Sequence, residues 1–289
     1  MVYLTLSVPL MFHPFSLNLK GRLLEVSRPM VMGIVNVTPD SFYSESRTMD
    51  ERSIGKRIEE MISDGVDIID MGAYSSRPGA SDVAMDEELS RLRMGMKILR
   101  SIDSSITVSI DTFRAKVAKS AVEEMGADII NDISGGNLDD EMFEVVSRLG
   151  VPYILMHMRG TPETMQQMCD YHDVTADVIK DLSEKLRKLH LLGVSDVIVD
   201  PGFGFSKTIE QNFEIMKHLD SFSVLDSPLL VGVSRKSMIT KTLGITADEA
   251  LAGTVALGAI ALTRGASILR VHDVKSAVES VRLYELSTL

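Results

Sequence analysis

The chain has 289 residues, of which 45% are hydrophobic, and a formal net charge of −11 at pH 7. This length and apolar content predict one domain of the size common among α/β barrels, and the negative charge argues against nucleic acid or an anionic membrane as a partner. Cys169 is the only cysteine, which excludes an internal disulfide and a cysteine-rich metal site. The sequence shows no apolar stretch of membrane length and no secretory signal pattern, so we expect a cytoplasmic protein.

The amino-terminal part predicts a β-hairpin. Residues 2–24 alternate apolar and polar side chains around Asn18 and Gly21, as is typical of two strands joined by a turn. We therefore assign residues 1–28 to a hairpin extension of a single domain that spans residues 1–289.

From Val31 onward, strands and helices alternate. Amphipathic segments end at a glycine that is followed by an apolar strand, at Gly65, Gly126, Gly150 and Gly193 and again late in the chain at Gly265. The predicted strands are Val31 to Val37, Val66 to Met71, Ile106 to Ile110, Asp128 to Ile130, Tyr153 to Met156, Val197 to Val199, Leu229 to Val233 and Ser267 to Val271. Eight such units predict a (β/α)8 TIM barrel. An open doubly wound sheet is the alternative, but no G-x-G-x-x-G motif follows the first strand of the series.

Polar residues stand where nearly every predicted strand ends. They are Asn36, residues 75–77, Asp111, Asn131, His157, Asp200, residues 234–236, Arg270 and His272. The carboxyl ends of barrel strands converge on one mouth, so this pattern predicts a polar ligand there. Carboxylates, an amide and a lysine suit a flat heterocycle with several donors and acceptors. Arg77, Arg270 and His272 suit a phosphate or diphosphate.

The segment VIVDPGFGFSK (197–207) is central to this interpretation. A buried strand ends in Asp200, and a carboxylate in that position is costly unless something binds it. Glycines allow backbone to approach a ligand, and phenylalanines can cover a flat one. The competing interpretation is a helix N-cap, a position where Asp is common.

The motifs resemble those of the dihydropteroate synthase family. They are MGIVNVTPDSF (32–42), SRPGA (76–80), SIDT (109–112), NDI (131–133), HMRGTPETM (157–165), DPGFGF (200–205), SRKS (234–237) and RVHDV (270–274). They occur in order, one per barrel strand, from residue 31 onward. Two departures are the sequence that begins at Tyr43, where the family usually has Ser-Asp-Gly-Gly, and the pair Tyr74 and Ser76, where Glu and Thr are usual.

The resemblance implies a Mg2+-dependent enzyme of folate biosynthesis. Members join 6-hydroxymethyl-7,8-dihydropterin diphosphate to 4-aminobenzoate and release diphosphate, which makes them alkyl- or aryl-group transferases. The resemblance also implies a homodimer and a sulfonamide target. We expect a dissociative displacement without a covalent enzyme intermediate.

The resemblance also assigns residue roles. Asp111, Asn131, Asp200 and Lys236 would bind the pterin, and Asn36 would contact magnesium. Arg270, His272 and Arg77 would hold the diphosphate, with Arg270 also lying against the pterin. The aminobenzoate pocket would consist of Phe42, Ser76, Pro78, Phe205 and Ser237. Among these residues, Asp111, Lys236 and Arg270 are the predicted catalytic groups.

Other interpretations remain open at this point. His157, Cys169 and His172 could suggest a transition-metal site, but their spacing matches no standard ligand set and favours structural roles. Asp132 could cap a helix, and Arg235 should point away from Lys236, which favours a surface or ion-pair role. A pterin-dependent methyltransferase and a noncatalytic pterin-binding protein are the competing functions.

Overall fold

The computed structural model describes residues 12–37, 44–74 and 83–288, which form a β-hairpin followed by a parallel barrel with helices between its strands. The hairpin strands are β1 (Phe15–Leu19) and β2 (Arg22–Val26). The barrel strands are β3 (Met30–Asn36), β4 (Ile68–Gly72), β5 (Thr107–Asp111), β6 (Ile129–Asp132), β7 (Tyr153–Met156), β8 (Val197–Asp200), β9 (Leu230–Val231) and β10 (Ile268–Val271).

Helices occupy most of the connections between the barrel strands in the described residues. They are α1 (Ser44–Ser63), α2 (Met85–Ile102), α3 (Ala115–Glu123), α4 (Met142–Leu149), α5 (Val174–Leu191), α6 (Ile209–Lys217), α7 (Ser237–Leu243), α8 (Leu251–Thr263) and α9 (Val274–Thr288). Short 3-10 turns cover Met165–Gln167 and Leu219–Leu225. None of the described helices is long and apolar enough to cross a membrane.

The eight barrel strands are all parallel and hydrogen-bond in the order β8-β7-β6-β5-β4-β3-β10-β9. A parallel bridge between Val199 and Leu229 joins the two outer strands, so the sheet curves round on itself. This arrangement confirms the predicted TIM barrel and excludes the open doubly wound sheet. Of the predicted strand from Leu229 to Val233, Leu230–Val231 forms β9 and Leu229 makes the bridge to Val199, whereas the chain turns at Val233, whose carbonyl accepts the amide of Lys236.

Strand residues alternate between two hydrophobic cores. Outward-facing side chains such as Ile69, Val108 and Leu155 pack under the helices. Inward-facing side chains such as Ile68, Ile129, Ile154, Ile198 and Ile268 form a separate cluster inside the amino-terminal end of the barrel. This period of two is what a pleated strand with both faces buried requires.

The hairpin closes the amino-terminal end of the barrel. Leu17, Leu19 and Val26 belong to the same cluster as the inward-facing isoleucines. The turn between the hairpin strands places Lys20 and Gly21 at φ 51° and 89°, and the Asn18 side chain accepts the Gly21 amide at 2.6 Å. The predicted hairpin is therefore confirmed for the described residues, with its strands at 15–19 and 22–26.

The position of the hairpin predicts a stability effect. Leu17→Ala should lower the free energy of unfolding by about 2–5 kcal/mol, because the side chain is buried and its removal leaves a cavity in the barrel floor. Leu23→Ala is the matched control, since Leu23 lies on the same hairpin and is 61% exposed; its effect should stay within about 0.5 kcal/mol. Chemical denaturation of both variants measures the difference. Equal losses of unfolding free energy in the two variants would contradict the role of the hairpin in closing the amino-terminal end of the barrel.

Candidate active site

A polar layer lies directly above the apolar floor of the barrel. Two residues beyond the inward-facing Ile68, Ile129, Ile198 and Ile268, the same strands carry Asp70, Asn131, Asp200 and Arg270. Because strand side chains repeat every two residues, these four also face inward. Sequence alternation therefore builds the site, with apolar residues below and charged residues above.

Arg270 links this layer across the barrel. Its Nε and Nη2 lie 2.6 Å from Oδ2 of Asp70, and its Nη2 donates to Oδ2 of Asp111 at 2.7 Å. Asn131 donates its Nδ2 to the same oxygen of Asp70 at 3.1 Å. Three of the predicted residues, Asp111, Asn131 and Arg270, are thus brought together around Asp70.

The network changes the protonation of its members. Burial raises the pKa of Asp111 to about 7, although the Arg270 charge opposes this shift. Burial would lower the pKa of Arg270, but the charges of Asp70 and Asp111 outweigh it and hold that pKa above its ordinary value. Arg270 is therefore a permanent cation whose charge is largely balanced by carboxylates.

Two buried polar atoms in this layer have no hydrogen-bond partner in the described part of the chain. They are Oδ1 of Asp70 and Oγ of Ser109. Asp70 and Ser109 are register neighbours on β4 and β5. Since buried polar atoms normally find a partner, this pair offers a place for an ordered water or for the donors of a ligand.

Asp200 lies at the start of a tight turn above the barrel. Its Oδ1 accepts the amide of Gly202 at 2.7 Å, and no other hydrogen bond to the carboxylate is found among the described residues. Burial raises the pKa of Asp200, while the charge of Lys236 opposes the rise. The helix that follows begins at Ile209 and is capped by Thr208, so Asp200 is not a helix cap.

Lys236 lies on the opposite side of this turn. Its Nζ donates to the carbonyl of Phe203 and lies 4.8 Å from the centre of the Phe205 ring. Burial lowers its pKa to about 8, and the charge of Asp200 limits the decrease. Asp200, Phe205 and Lys236 are therefore neighbours, as the sequence predicted.

Two glycines leave space beside these groups. A Cβ at Gly72 would lie 3.3 Å from Cβ of Asp111, and one at Gly232 would lie 3.8 Å from Cβ of Arg270 and 3.9 Å from Nζ of Lys236. Both glycines occupy inward-facing positions of the barrel. A side chain at Gly72 would press on Asp111, and one at Gly232 would contact Arg270 and Lys236.

The mouth next to β10 is built around His272. Its Nδ1 lies 3.1 Å from Oγ of Ser234, and its carbonyl accepts a bond from Arg57 on α1. Arg235 turns away, because its φ is 56° and its guanidinium binds Asp273 at 2.6 and 3.0 Å. The ion-pair role predicted for Arg235 is therefore confirmed.

The remaining predicted contacts lie at the rim or outside the described residues. Asn36 and Ser237 are exposed, at the carboxyl end of β3 and the start of α7. Phe42, Ser76, Arg77 and Pro78 fall outside the described residues, as does Tyr43. The roles assigned to all of these residues stay predictions.

The site also contains residues that the sequence analysis did not single out. Asp70 could have been found by alternation, because it stands two positions after Ile68 on an inward face. Lys207 carries no such signal; it is buried behind the Asp200 turn and donates to Nδ1 of His157 at 3.0 Å. Its place depends on how the turn folds back on β7, which a local pattern cannot reveal.

Two alternative interpretations can now be decided. Among the described residues, no group of three or more His, Cys, Asp or Glu side chains could hold a metal ion, which removes His157, Cys169 and His172 as a transition-metal site. Asp132 caps no helix, because α4 begins ten residues later. Its carboxylate instead binds the amides of Ser134 and Gly136 and the hydroxyl of Tyr153 at 2.7–2.8 Å.

Comparisons with known proteins agree with this geometry. Residues 32–272 match the family model described as "Pterin binding enzyme". The chain is 39% identical to dihydropteroate synthase of Escherichia coli K12 over 270 residues, which is 92% of this chain and 94% of that protein. It is 40% identical to the Arabidopsis thaliana folate synthesis bifunctional protein over 88% of this chain but spans only 55% of that longer protein.

Solved structures give the same result. Dihydropteroate synthase of Xanthomonas albilineans with 4-aminobenzoic acid superposes with a TM-score of 0.87 at 34% identity, covering 96% of this chain and 99% of that chain. The enzyme of Thermus thermophilus in complex with 6HMPPP gives a TM-score of 0.80 at 34% identity, covering 94% of this chain and 99% of that chain. The ordered motifs, the polar barrel layer and these similarities lead to one conclusion: the chain belongs to the dihydropteroate synthase family of pterin-binding enzymes.

Proposed function

We propose that this transferase condenses 6-hydroxymethyl-7,8-dihydropterin diphosphate with 4-aminobenzoate, giving 7,8-dihydropteroate and diphosphate in folate biosynthesis. The observation that carries the proposal is the polar layer of Asp70, Asp111, Asn131, Asp200 and Arg270 inside a barrel of this family. Such a set of closely placed donors and acceptors suits the edge of a flat heterocycle.

The pterin binds in the barrel through its ring edge. Asp200 is the central acceptor: its Oδ1 keeps one lone pair beyond the bond to Gly202, and Oδ2 keeps both. A pterin amide and amino group present two parallel donors to such a carboxylate, which is the geometry of a strong paired hydrogen bond. Asn131 and Asp111 supply further polar groups from β6 and β5, and Lys236 faces the turn from β9's side of the mouth.

The diphosphate binds at the rim near β10. Arg270 uses Nε and Nη2 on carboxylates, which leaves Nη1 for an anion. His272 follows Arg270 by two residues, its carbonyl accepts a bond from Arg57, and Arg77 is predicted to complete this group. Cations at the rim and carboxylates below would separate the leaving anion from the ring.

The aminobenzoate pocket follows from the same arrangement. Phe205 flanks the mouth beside Lys236, and Ser237 is exposed next to it. With Phe42, Ser76 and Pro78 from the first two barrel loops, these residues would hold the aromatic amine above the pterin methylene carbon. A sulfonamide, which resembles the amine substrate, would bind at the same place.

The donor set at the rim fits Mg2+. Asn36 exposes an amide oxygen at the end of β3, and the described residues provide no cage of carboxylates. Magnesium typically takes one or two protein oxygens together with substrate phosphates and water. Bound there with the diphosphate, it would stabilise the charge of the leaving group.

The reaction breaks the bond between the methylene carbon and the diphosphate oxygen, and the oxygen keeps the electron pair. The amine nitrogen then bonds to the same carbon and loses a proton. Arg270 and His272 stabilise the departing anion, while Asp111 and Asp200 stabilise the positive charge that develops on the ring. No enzyme nucleophile is needed, because the amine attacks directly.

The test is to incubate the protein with both substrates and Mg2+ and measure diphosphate and dihydropteroate. Both products should appear in equal amounts. Transfer of a methyl group from a methylated folate would instead support the methyltransferase alternative, and pterin binding without any product would support a noncatalytic binding protein.

Asp200→Asn should remove pterin binding and retain the fold. The substitution keeps the shape but replaces one acceptor by a donor that faces the donors of the ring, which costs about 2–5 kcal/mol of pterin affinity. Calorimetric titration with 6-hydroxymethylpterin measures the loss, and thermal unfolding checks the fold. A lowered melting temperature with near-normal binding would show that Asp200 is structural.

Arg270→Gln should weaken the diphosphate-bearing pterin at least about tenfold more than the pterin without diphosphate, because both lose the ring contact but only the former also loses the cation that faces its diphosphate. Arg235→Gln is the matched control, since Arg235 lies in the turn between β9 and α7 on the neighbouring part of the barrel and binds Asp273 and Asp248. Equal losses for both pterins in the Arg270 variant would contradict the anion role.

We also propose a homodimer that forms through α8. This helix is apolar almost throughout, yet it exposes Leu251, Ala252, Ala256, Ala259 and Ile260. An exposed apolar helix face of this kind is typical of a surface that a partner covers.

The cytoplasmic location stays a prediction from the sequence.

Ile260→Asp should halve the mass of the particle in solution, because a carboxylate in the centre of an apolar interface is left without a partner. Leu191→Asp at the end of α5 is the control, since Leu191 is 77% exposed and far along the chain from α8. Analytical ultracentrifugation measures both variants. A wild-type chain that sediments as a monomer would contradict the proposal.

A further inference from the structure

We propose that Lys207 is a positioning residue of the pterin site, whose buried ammonium group holds the turn of residues 200–205 from behind. This inference rests on the proposed function, because the turn that Lys207 holds carries residues that we propose to bind the substrates. Lys207 is 3% exposed and follows the DPGFGF motif after a single serine.

Lys207 connects the turn to the neighbouring strand. Its Nζ donates to the carbonyls of Gly202 at 3.1 Å and Phe205 at 3.0 Å, and to Nδ1 of His157 at 3.0 Å. An ammonium group has three N–H donors, and these three acceptors use all of them. The lysine therefore ties both ends of the turn to the end of β7.

His157 is suited to accept this bond. Burial, together with the charges of Lys207 and two other nearby cations, lowers its pKa to about 2, so the imidazole stays neutral. Nδ1 must then carry a lone pair, and the remaining proton sits on Nε2. His157, which the sequence placed among the candidate residues at the barrel mouth, therefore accepts a hydrogen bond from Lys207.

The turn packs closely against the residue that follows β7. Gly202 has a φ of 71°, and a Cβ there would overlap the carbonyl oxygen of His157. Asn212 fixes the next part of the turn by accepting the Gly204 amide at 2.7 Å. The backbone path is therefore set by contacts on the side away from the ligand.

The opposite side of the same turn carries the binding groups. The Gly202 amide donates to Asp200, and the Phe203 carbonyl accepts from Lys236. Lys207 and Lys236 thus bind carbonyls of one short turn, from behind and from the mouth respectively. If the Lys207 bonds were lost, the Phe205 carbonyl would have to find another donor, and the Gly202 carbonyl would keep only the Phe205 amide. Phe205 and the part of the turn next to Asp200 would move with them.

Burying this lysine has a cost, which argues that its position matters. Burial lowers the pKa of Lys207 to about 7; the charge of Asp200 opposes the decrease, while Lys236 and Arg159 add to it. No carboxylate lies within ion-pair distance of its Nζ among the described residues. An apolar side chain would avoid the desolvation cost, but it would leave the Phe205 carbonyl and Nδ1 of His157 without the Lys207 donor, and the Gly202 carbonyl with only the Phe205 amide.

The test compares Lys207→Met with Lys185→Met. Lys185 is a matched control, because it is also a buried lysine, lies on α5 and contacts Asp181 at 2.9 Å with no bond to the turn. Two probes are titrated into each folded variant and into the wild type: 6-hydroxymethylpterin for the barrel site, and inorganic diphosphate with Mg2+ for the rim.

Lys207→Met should weaken 6-hydroxymethylpterin binding by about 10- to 100-fold, since the unpaired acceptors displace the turn. Diphosphate binding should change less than about twofold, and Lys185→Met should leave both ligands near wild type. A purely structural lysine would lower the melting temperature and leave the ratio of the two affinities unchanged. Pterin affinity within about twofold of wild type in folded Lys207→Met would overturn the inference.

A second variant keeps the test decisive if Lys207→Met does not fold. Lys207→Gln retains two N–H donors without the charge, and its pterin affinity should fall between those of the wild type and the Met variant. Wild-type affinity in Lys207→Gln would also overturn the inference. A wild-type protein that binds no pterin would instead overturn the proposed function, so the two failures are distinguishable.

Discussion

The pairing of Arg270 with Asp70 and Asp111 is the interaction on which the site depends. A charged group inside a barrel is strongly destabilising unless its partners compensate it, and here one guanidinium compensates two carboxylates from neighbouring strands. The pairing fixes the planar group across the mouth of the barrel. It also fills the layer where other barrels of this architecture carry branched apolar side chains.

Because the upper part of the barrel interior is polar, the apolar packing that stabilises the fold lies elsewhere. Only the lower part of the barrel interior is apolar, and the hairpin adds Leu17, Leu19 and Val26 to it from below. The larger core lies outside the barrel, between strands and helices. The fold thus keeps its apolar packing at the floor and around the wall, which leaves the mouth free for charged groups.

The charges at the mouth are unequal in a way that matches the chemistry. Three carboxylates (Asp70, Asp111 and Asp200) face two cations (Arg270 and Lys236), which is a formal excess of one negative charge. Burial and the neighbouring carboxylate of Asp70 raise the pKa of Asp111, and a ring that becomes positive when its leaving group departs would favour the charged form of this carboxylate.

Much of the fold was predictable because it rests on local rules. Strand ends, glycine helix ends and the order of elements follow from patterns of a few residues, and the predicted strand Tyr153 to Met156 has the observed bounds. The polar mouth was predictable because carboxyl ends of parallel strands must meet. Asp70 was missed because it stands inside its strand rather than at its end, although alternation on β4 could have revealed it.

Lys207 shows a second reason why a site residue cannot be predicted from the sequence. Its sequence neighbourhood identifies a turn, but the three atoms that it binds come from that turn and from the residue after β7, which are brought together only when the barrel closes. The groups proposed to face the pterin sit on strands and on this turn, whereas most residues predicted for aminobenzoate come in sequence after β3 and β4. A barrel of this kind would therefore hold the proposed ring-binding groups rigidly, because strand positions are fixed by the sheet, while the residues predicted for the second substrate belong to segments whose sequence differs from the family at Tyr43 and Tyr74.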